Sequence, residues 1–259
     1  MRIATWNING IKARIDTLLR WLREVSPDVV CMQEIKCPDD GFPTGPIEEL
    51  GYNVAVHGQK GFNGVAILSK HPIEDVRKGL PPLDGDQQAR LISGLVAGPS
   101  GVIRVGSAYM PNGNPIGSEK FAYKLAWLER LTDWTRAELE KEEMLVIAGD
   151  YNVIPAPLDA KYPEFWVTDA LYTPEARMAF RKLSALGFTD AVRAIDDRGG
   201  IYTFWDYQAG AWQRNNGIRI DHILLSPEAA DKLCQAGVDR HVRTWEKPSD
   251  HVPVWVELS

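Results

Sequence analysis

The chain predicts an α/β protein made of two packed, mixed β-sheets with helices on their outer faces. Three observations lead there. Short β-type apolar runs recur along the whole chain, at 2–7, 28–33, 52–56, 64–69, 90–96, 102–109, 144–149, 202–205, 219–225, 238–243 and 252–258. Many alternate or are rich in Val and Ile, as half-buried and fully buried strands are. Helical patterns punctuate them in both halves. No tract of linker length or low complexity separates the halves, so one domain over 1–259 is expected.

The first helix carries the apolar stripe Ile15, Leu18, Leu19, Leu22 and Val25 and stops at Ser26-Pro27. Ser118 is placed to cap a long helix bearing Phe121, Leu125, Leu128 and Leu131, which ends in the charged run 138–143. Thr173-Pro174 reads as an N-cap followed by a first-turn proline, with Gly187 closing that helix. Ser226-Pro227 and Gly237 bracket another in the same way. Pro and Gly mark loops at 36–47, 79–88, 97–101, 111–117, 154–163 and 206–217.

Composition narrows the class. At 259 residues, 44% hydrophobic and 25% charged, the chain is an ordinary globular one with material for a large core. No apolar stretch is long enough to span a membrane, so no membrane partner is expected. Residues 1–7 enter a strand pattern without a charged-then-apolar export signal, which points to the cytoplasm. Cys31, Cys37 and Cys234 cannot all pair and fit no zinc or redox spacing. The net charge of -6 argues against a nonspecific nucleic-acid binder, though not against a nucleic-acid enzyme, whose metal site concentrates carboxylates.

The polar ends of the runs carry the chemistry. A buried strand that stops at a polar group presents it at a sheet rim, and several such ends can converge on one cleft. Residues 2–6 lead into Asn7 and Asn9, 28–32 into Gln33-Glu34, 103–108 into Tyr109, and 144–148 into Gly149-Asp150-Tyr151-Asn152. Residues 218–220 end on Asp221, and Ser249-Asp250-His251 precedes the last run. Several carboxylates, amides and one imidazole suit a hard divalent cation and a phosphoryl substrate. Glu34 is the leading metal-ligand candidate, with Lys36 in reach of it or of a phosphate. Asp150 is placed to take a proton from water or orient it, and Asn152 to hold Asp150 or a phosphate oxygen. An Asx turn after a strand explains the same residues without chemistry. Neighbours on an extended strand face opposite sides, so Asp221 is expected to pair with His251 rather than with His222. That pairing favours an imidazolium facing the phosphate, and His222 is left to packing. Asn7 and Asn9 share a face, although Asn9-Gly10 also reads as a turn. Tyr109 is either a phosphate donor or a rim tyrosine. Four aromatics lie within 202–207, and Trp212, Arg214 and Arg219 follow. That interleaving suits stacked bases or a sugar-sized pocket, or else a core strand, the reading preferred for Trp205.

Together these segments resemble the exonuclease III / apurinic-apyrimidinic endonuclease family, within the endonuclease–exonuclease–phosphatase superfamily, and most of all its bacterial exonuclease III-like members. The resemblance rests on Ala4-Thr5-Trp6-Asn7-Ile8-Asn9-Gly10, Gln33-Glu34-Ile35-Lys36 and Tyr109-Met110-Pro111-Asn112-Gly113. It continues through Gly149-Asp150-Tyr151-Asn152-Val153, Arg219-Ile220-Asp221 and Ser249-Asp250-His251. Lys120-Phe121-Ala122-Tyr123-Lys124-Leu125 is similar to a stretch common in the bacterial members. The resemblance implies a four-layer α/β sandwich and Mg2+ at Glu34, with Asn9 and Asp250 nearby and Mn2+ able to substitute. It implies that Asp150 activates water and that Asn152 and Asn7 position Asp150 and the phosphate. His251, oriented by Asp221, and also Tyr109 and Asn112, would contact the phosphate. Phe204, Ile218 and Ile220 would form an abasic-sugar pocket, with Lys36 and Arg219 on the substrate side. The implied activity, of a monomer on double-stranded DNA, is incision 5′ to abasic sites, trimming of 3′ ends and 3′-to-5′ exonuclease digestion. A phosphomonoesterase of the same superfamily, acting on a phosphorylated small molecule or lipid, is the alternative.

Overall fold

A computed structural model describes residues 1–81 and 85–259; part of the expected 79–88 loop lies outside the described residues. In chain order the strands are β1 (Arg2–Asn7), β2 (Val29–Gln33), β3 (Asn53–His57), β4 (Val65–Ser69), β5 (Ile73–Lys78) and β6 (Leu91–Gly98). There follow β7 (Gly101–Tyr109), β8 (Met144–Asp150), β9 (Thr189–Asp190), β10 (Asp221–Leu225), β11 (Leu233–Val238) and β12 (Val254–Leu258). The helices are α1 (Ile11–Val25), α2 (Thr44–Glu48), α3 (Glu119–Leu139), α4 (Pro174–Ser184), α5 (Ala191–Ile195) and α6 (Pro227–Ala230).

The strands form two six-stranded sheets, ordered β11-β12-β1-β2-β4-β3 and β5-β6-β7-β8-β10-β9. Each is mixed: β1 runs parallel to β2 and β7 to β8, while the other neighbours are antiparallel. Alternation splits each strand between two cores. Ile3, Val29, Cys31, Val65 and Ile67 meet Ile103, Val105, Val146 and Ile223 between the sheets. Ala4, Trp6, Val30 and Met32 face Leu18, Trp21 and Leu22 of α1. Leu91, Leu145 and Ile147 face Trp127, Leu128 and Leu131 of α3 and Phe180 of α4. The four-layer sandwich follows: helix, sheet, sheet, helix.

Several local expectations change. Asp221 begins β10 instead of ending a strand, and because β10 is antiparallel to β8 its first residue lies at the rim where β8 finishes. The 226–237 segment is one helical turn, with the Ser226 hydroxyl accepting from Ala229 N, followed by β11; cap and proline mark where a helix starts, not how far it runs. Residues 202–205 make only isolated bridges through Phe204, and 240–244 form a 3-10 turn rather than a strand. β5 escaped notice because its outer residues are polar and exposed, and α2 lies at the end of an expected loop. Ser118 sits at the start of α3, but its hydroxyl donates to Pro115 O instead of capping. Thr173 does cap α4, accepting from Ala176 N.

Candidate active site

The register of the strands assembles the site. Tyr109 of β7 and Asp221 of β10 both lie directly beside Asp150 of β8, so three polar groups stand abreast at one rim of the second sheet. β7 and β8 approach so closely that a Cβ at Gly149 would lie 1.8 Å from Ala108 O. The first sheet brings Asn7, the Asn9 turn, Glu34 and the Asp250-His251 pair to the same rim.

Bonds between the sheets stitch the two sets together. The Asn7 amide donates to Glu34 Oε1 and to Asp150 Oδ2, both at 3.0 Å. Tyr109 OH donates to Glu34 Oε1 at 2.9 Å. His251 Nδ1 is 2.8 Å from Asp221 Oδ2 and 3.1 Å from Oδ1, and its Nε2 points toward Asp150 Oδ2 at 3.8 Å. That last gap is too long for a hydrogen bond and leaves the Nε2 proton without a partner on Asp150. Asn152 holds Asp150 from its own loop, with N donating to Oδ1 at 2.9 Å and Nδ2 to Oδ2 at 3.4 Å. Asn112 Nδ2 lies 3.4 Å from Asn152 Oδ1.

Burial and charge set the protonation states. Burial alone would lower the His251 pKa, but Asp221, then Asp150, raise it to about 10, so the ring is an imidazolium at neutral pH. Asp150, fully buried, is pushed up by burial and by Asp221 against the pull of His251, to about 7. Burial also raises Glu34, but the Asn7 amide and Lys36 outweigh it and hold the carboxyl below its usual range. Tyr109 is raised by burial, Glu34 and Asp150, so it stays a neutral phenol and a donor.

Glu34 and Lys36 hold left-handed backbone at φ 50° and 55°, as do Asn9 and Asn152 at 48° and 45°. Residues other than Gly and Asn rarely do so without surroundings that enforce it. Here Gly10 N donates to Glu34 O, and Ile35 N and Lys36 N donate to Gly64 O and Asn63 O. The Lys36 ammonium bridges Glu34 Oε2, at 2.7 Å, and Asn9 Oδ1, so a cation already stands where those oxygens converge. Asn9 Nδ2 ties Asp250 Oδ1 to the group at 3.0 Å. This donor set of carboxylate and amide oxygens fits a hard divalent ion. A second set, Asp150, Asp221 and His251, has candidate ligand atoms within 4.8 Å of one another. Both Asp221 oxygens there face the His251 Nδ1 proton, which suits an acid–base group better than a metal cage.

The cleft encloses about 290 Å³ and is lined by the acidic and amide groups together with Trp166, Leu171, Phe204 and Ile220. A larger groove of about 370 Å³ between α3 and α4 is lined by Leu125, Leu128, Met178 and Ala179. It holds no buried carboxylate or imidazole, so the smaller polar cleft is the candidate.

Of the residues expected at the site, Glu34, Tyr109, Asn112, Asp150, Asn152, Phe204, Ile220, Asp250 and His251 line the cleft. Asn7, Asn9, Lys36 and Asp221 bond to them. Two expected site residues are not part of the cleft lining. Arg219 is 1% exposed and bonds to Asp159 and Asp190 beside His222, so it is internal and out of reach of substrate. Ile218, also 1% exposed, pairs by backbone with Phe204 and buttresses the cleft wall from behind. His222 is packed against Tyr151 and Phe180, and burial then Arg219 drive its pKa down to about 4, as the packing assignment required. Trp205 is core. Sequence reading missed Trp166, Asp169 and Leu171, which come from an irregular segment with no periodicity to mark them. It also gave no role to Ser249, whose hydroxyl donates to Asn7 O at 2.7 Å and accepts from His251 N.

The sequence profile of the Endonuclease/Exonuclease/phosphatase family matches residues 4–251. The chain belongs to this family. It is 34% identical to exodeoxyribonuclease III of Haemophilus influenzae, each chain covered in full, and 31% identical to the DNA repair nuclease APEX1 of Danio rerio, over all of this chain and 82% of that one. The fold matches an AP endonuclease from Archaeoglobus fulgidus with a TM-score of 0.95 and 40% identity, covering 100% of this chain and 99% of that one. It matches the 3′-5′ exonuclease NExo of Neisseria meningitidis at 0.96 and 39%, both chains in full. Among the described residues no helix is long and apolar enough to cross a membrane.

Proposed function

We propose that the chain is a divalent-metal-dependent DNA repair phosphodiesterase. It cuts the strand 5′ to an abasic site and trims 3′ ends, with accompanying 3′-to-5′ exonuclease activity. The observation that carries this is the convergence of Asp150 and His251, from opposite sheets, on a 3.8 Å gap beside Glu34. The relatives support DNA as substrate: one neighbour of 39% identity is described as a 3′ phosphatase bound to product DNA hairpin.

Asp150, held by Asn7 and Asn152, orients the attacking water and takes its proton. The His251 imidazolium donates through Nε2 to a phosphate oxygen as negative charge grows, while Asp221 keeps its proton on Nδ1. Tyr109 and Asn112 supply further donors at the same wall. Glu34, Asn9 and Asp250 would hold Mg2+ or Mn2+, which when bound neutralises phosphate charge and stabilises the leaving oxygen. Lys36 holds the same Glu34 and Asn9 oxygens, so an ion bound there would compete with its ammonium for them. Trp166, Leu171, Phe204 and Ile220 offer an apolar wall for a sugar without a base.

A 5′-labelled duplex with one abasic analogue, incubated with Mg2+ or chelator beside an intact duplex, tests the reading. Metal-dependent incision 5′ to the lesion, lost in Glu34→Gln, is expected. Folded protein that cleaves neither DNA but hydrolyses a phosphorylated small molecule or lipid would replace it with the phosphomonoesterase reading.

A further inference from the structure

Lys124 has no place in the chemistry above, yet it is wholly buried on α3. A buried ammonium needs partners, and lysine usually finds a carboxylate. Here it finds three main-chain carbonyls: Asn112 O at 3.0 Å, Asn152 O at 2.6 Å and Ala170 O at 2.9 Å. Those bonds use all three N–H donors of the protonated amine, whose pKa burial lowers to about 7 against the pull of Asp150 and Asp169. The acceptors come from three segments far apart in sequence, and each segment lines the cleft: Asn112 and Asn114 on the first, Asn152 on the second, Asp169 and Leu171 on the third.

The neighbourhood is shaped around this side chain. Gly113 sits at φ 88°, and a Cβ there would come within 2.6 Å of Lys124 Cδ. The glycine therefore serves both the turn and the passage of the lysine stem. Asn114 closes the ring, donating to Asp169 Oδ1 and accepting from Ala170 N, both at 3.0 Å. Asn152, whose carbonyl takes the shortest of the three bonds, is the residue that holds Asp150 through its own N and Nδ2. A hydrophobic residue at 124 would satisfy the core but leave three carbonyls without donors and the segments without a common anchor.

We propose that Lys124 is a positioning residue, whose ammonium ties the three cleft-lining segments together and, through Asn152, fixes the carboxylate of Asp150. The inference rests on the phosphodiesterase reading for its kinetic consequences, but not for its structural one.

Lys124→Met, Lys124→Arg, Asn152→Ala and the Lys124→Met/Asn152→Ala double variant are compared for thermal unfolding, for kcat and KM on abasic duplex, and for the side-chain amide resonances of Asn112 and Asn152. With the fold retained, Lys124→Met should lower kcat by about tenfold to a hundredfold with little change in KM, the signature of lost orientation. The double variant should lose less than the product of the two single losses, since Lys124 acts in part through Asn152, whose backbone N still donates to Asp150 in Asn152→Ala. The Asn112 and Asn152 amide signals should move while that of the distant Asn53 stays. If Lys124→Met fails to fold, Lys124→Arg takes its place in the cycle, since a planar fork cannot reproduce the three-way grip. A folded variant with unmoved Asn112 and Asn152 signals and kcat within about twofold of the parent overturns the proposal, as do strictly additive losses. Should the parent itself cleave no DNA, the phosphodiesterase reading fails and the amide resonances alone decide the role of Lys124.

Discussion

Asp221→Asn tests the catalytic reading most directly. In the parent the His251 pKa rises from 6.5 to about 10, against burial that works the other way. At 1.36 kcal/mol per pH unit, that rise is a preference of about 5 kcal/mol for the imidazolium. Asp221 is its foremost source, touching Nδ1 at 2.8 and 3.1 Å, whereas Asp150 stands 3.8 Å from the other nitrogen. An amide at 221 keeps the shape but removes the charge. The His251 pKa should then drop well below that of the parent, since burial persists and only the weaker pull of Asp150 and Asp250 opposes it. The sign follows: a group whose pKa is raised stays charged up to that pKa, so the parent keeps the imidazolium until about pH 10 and the variant loses it at a lower pH. At pH 8 we expect kcat to fall by about a hundredfold to ten-thousandfold, from lost charge and lost ring orientation together. The assay is single-turnover incision of abasic duplex across the pH range with saturating Mg2+. An unchanged rate with an unchanged alkaline limb would refute the assignment of His251 as a charged donor.

Other outcomes are as specific. Glu34→Gln should reduce metal-dependent cleavage by at least about a hundredfold and abolish the thermal stabilisation expected of the parent on adding Mg2+; unaltered calorimetric Mg2+ binding would move the metal elsewhere. Arg219→Ala should destabilise the fold by roughly 3 kcal/mol, because it takes a guanidinium from buried Asp159 and Asp190 and leaves Asp159 to Arg193 alone among side-chain cations, while DNA affinity below the melting point stays close to that of the parent. A selective loss of affinity would put Arg219 back at the substrate. Affinity of the Glu34→Gln variant for abasic duplex, read by anisotropy, should fall steeply with salt, by about a thousandfold or more between roughly 50 and 200 mM if six or more phosphates are held. A flat salt response would remove the phosphate-gripping picture.

The sequence disclosed which residues matter better than it disclosed how the chain places them. Asn7, Glu34, Tyr109, Asp150 and His251 stood out because each ends or precedes an apolar run, and strand ends are where a sheet meets solvent. The pairing of Asp221 with His251 was legible because adjacent strand residues face opposite ways. Arg219 misled for the opposite reason: a cation beside aromatics looks like a DNA contact, and only the fold reveals Asp159, from a loop sixty residues away, waiting for it. The left-handed backbone of Glu34 and Lys36 left no trace in composition, since neither is a residue that favours it. Lys124 lay in a recognised stretch, but an ordinary lysine on an ordinary helix gives no hint that its charge will be interior.

The division of the site between the sheets bears on when this protein can act. Asn7, Glu34 and His251 belong to the sheet that β12 completes by pairing with β1, Arg2 opposite Glu257. Tyr109, Asp150 and Asp221 belong to the other. A partly folded chain with only one sheet formed therefore holds the water-activating carboxylate without its imidazolium, or the reverse. Contacts of such long sequence separation form late and slowly. Cleavage should then require both sheets to be in place, and on unfolding it should be lost before most of the secondary structure is.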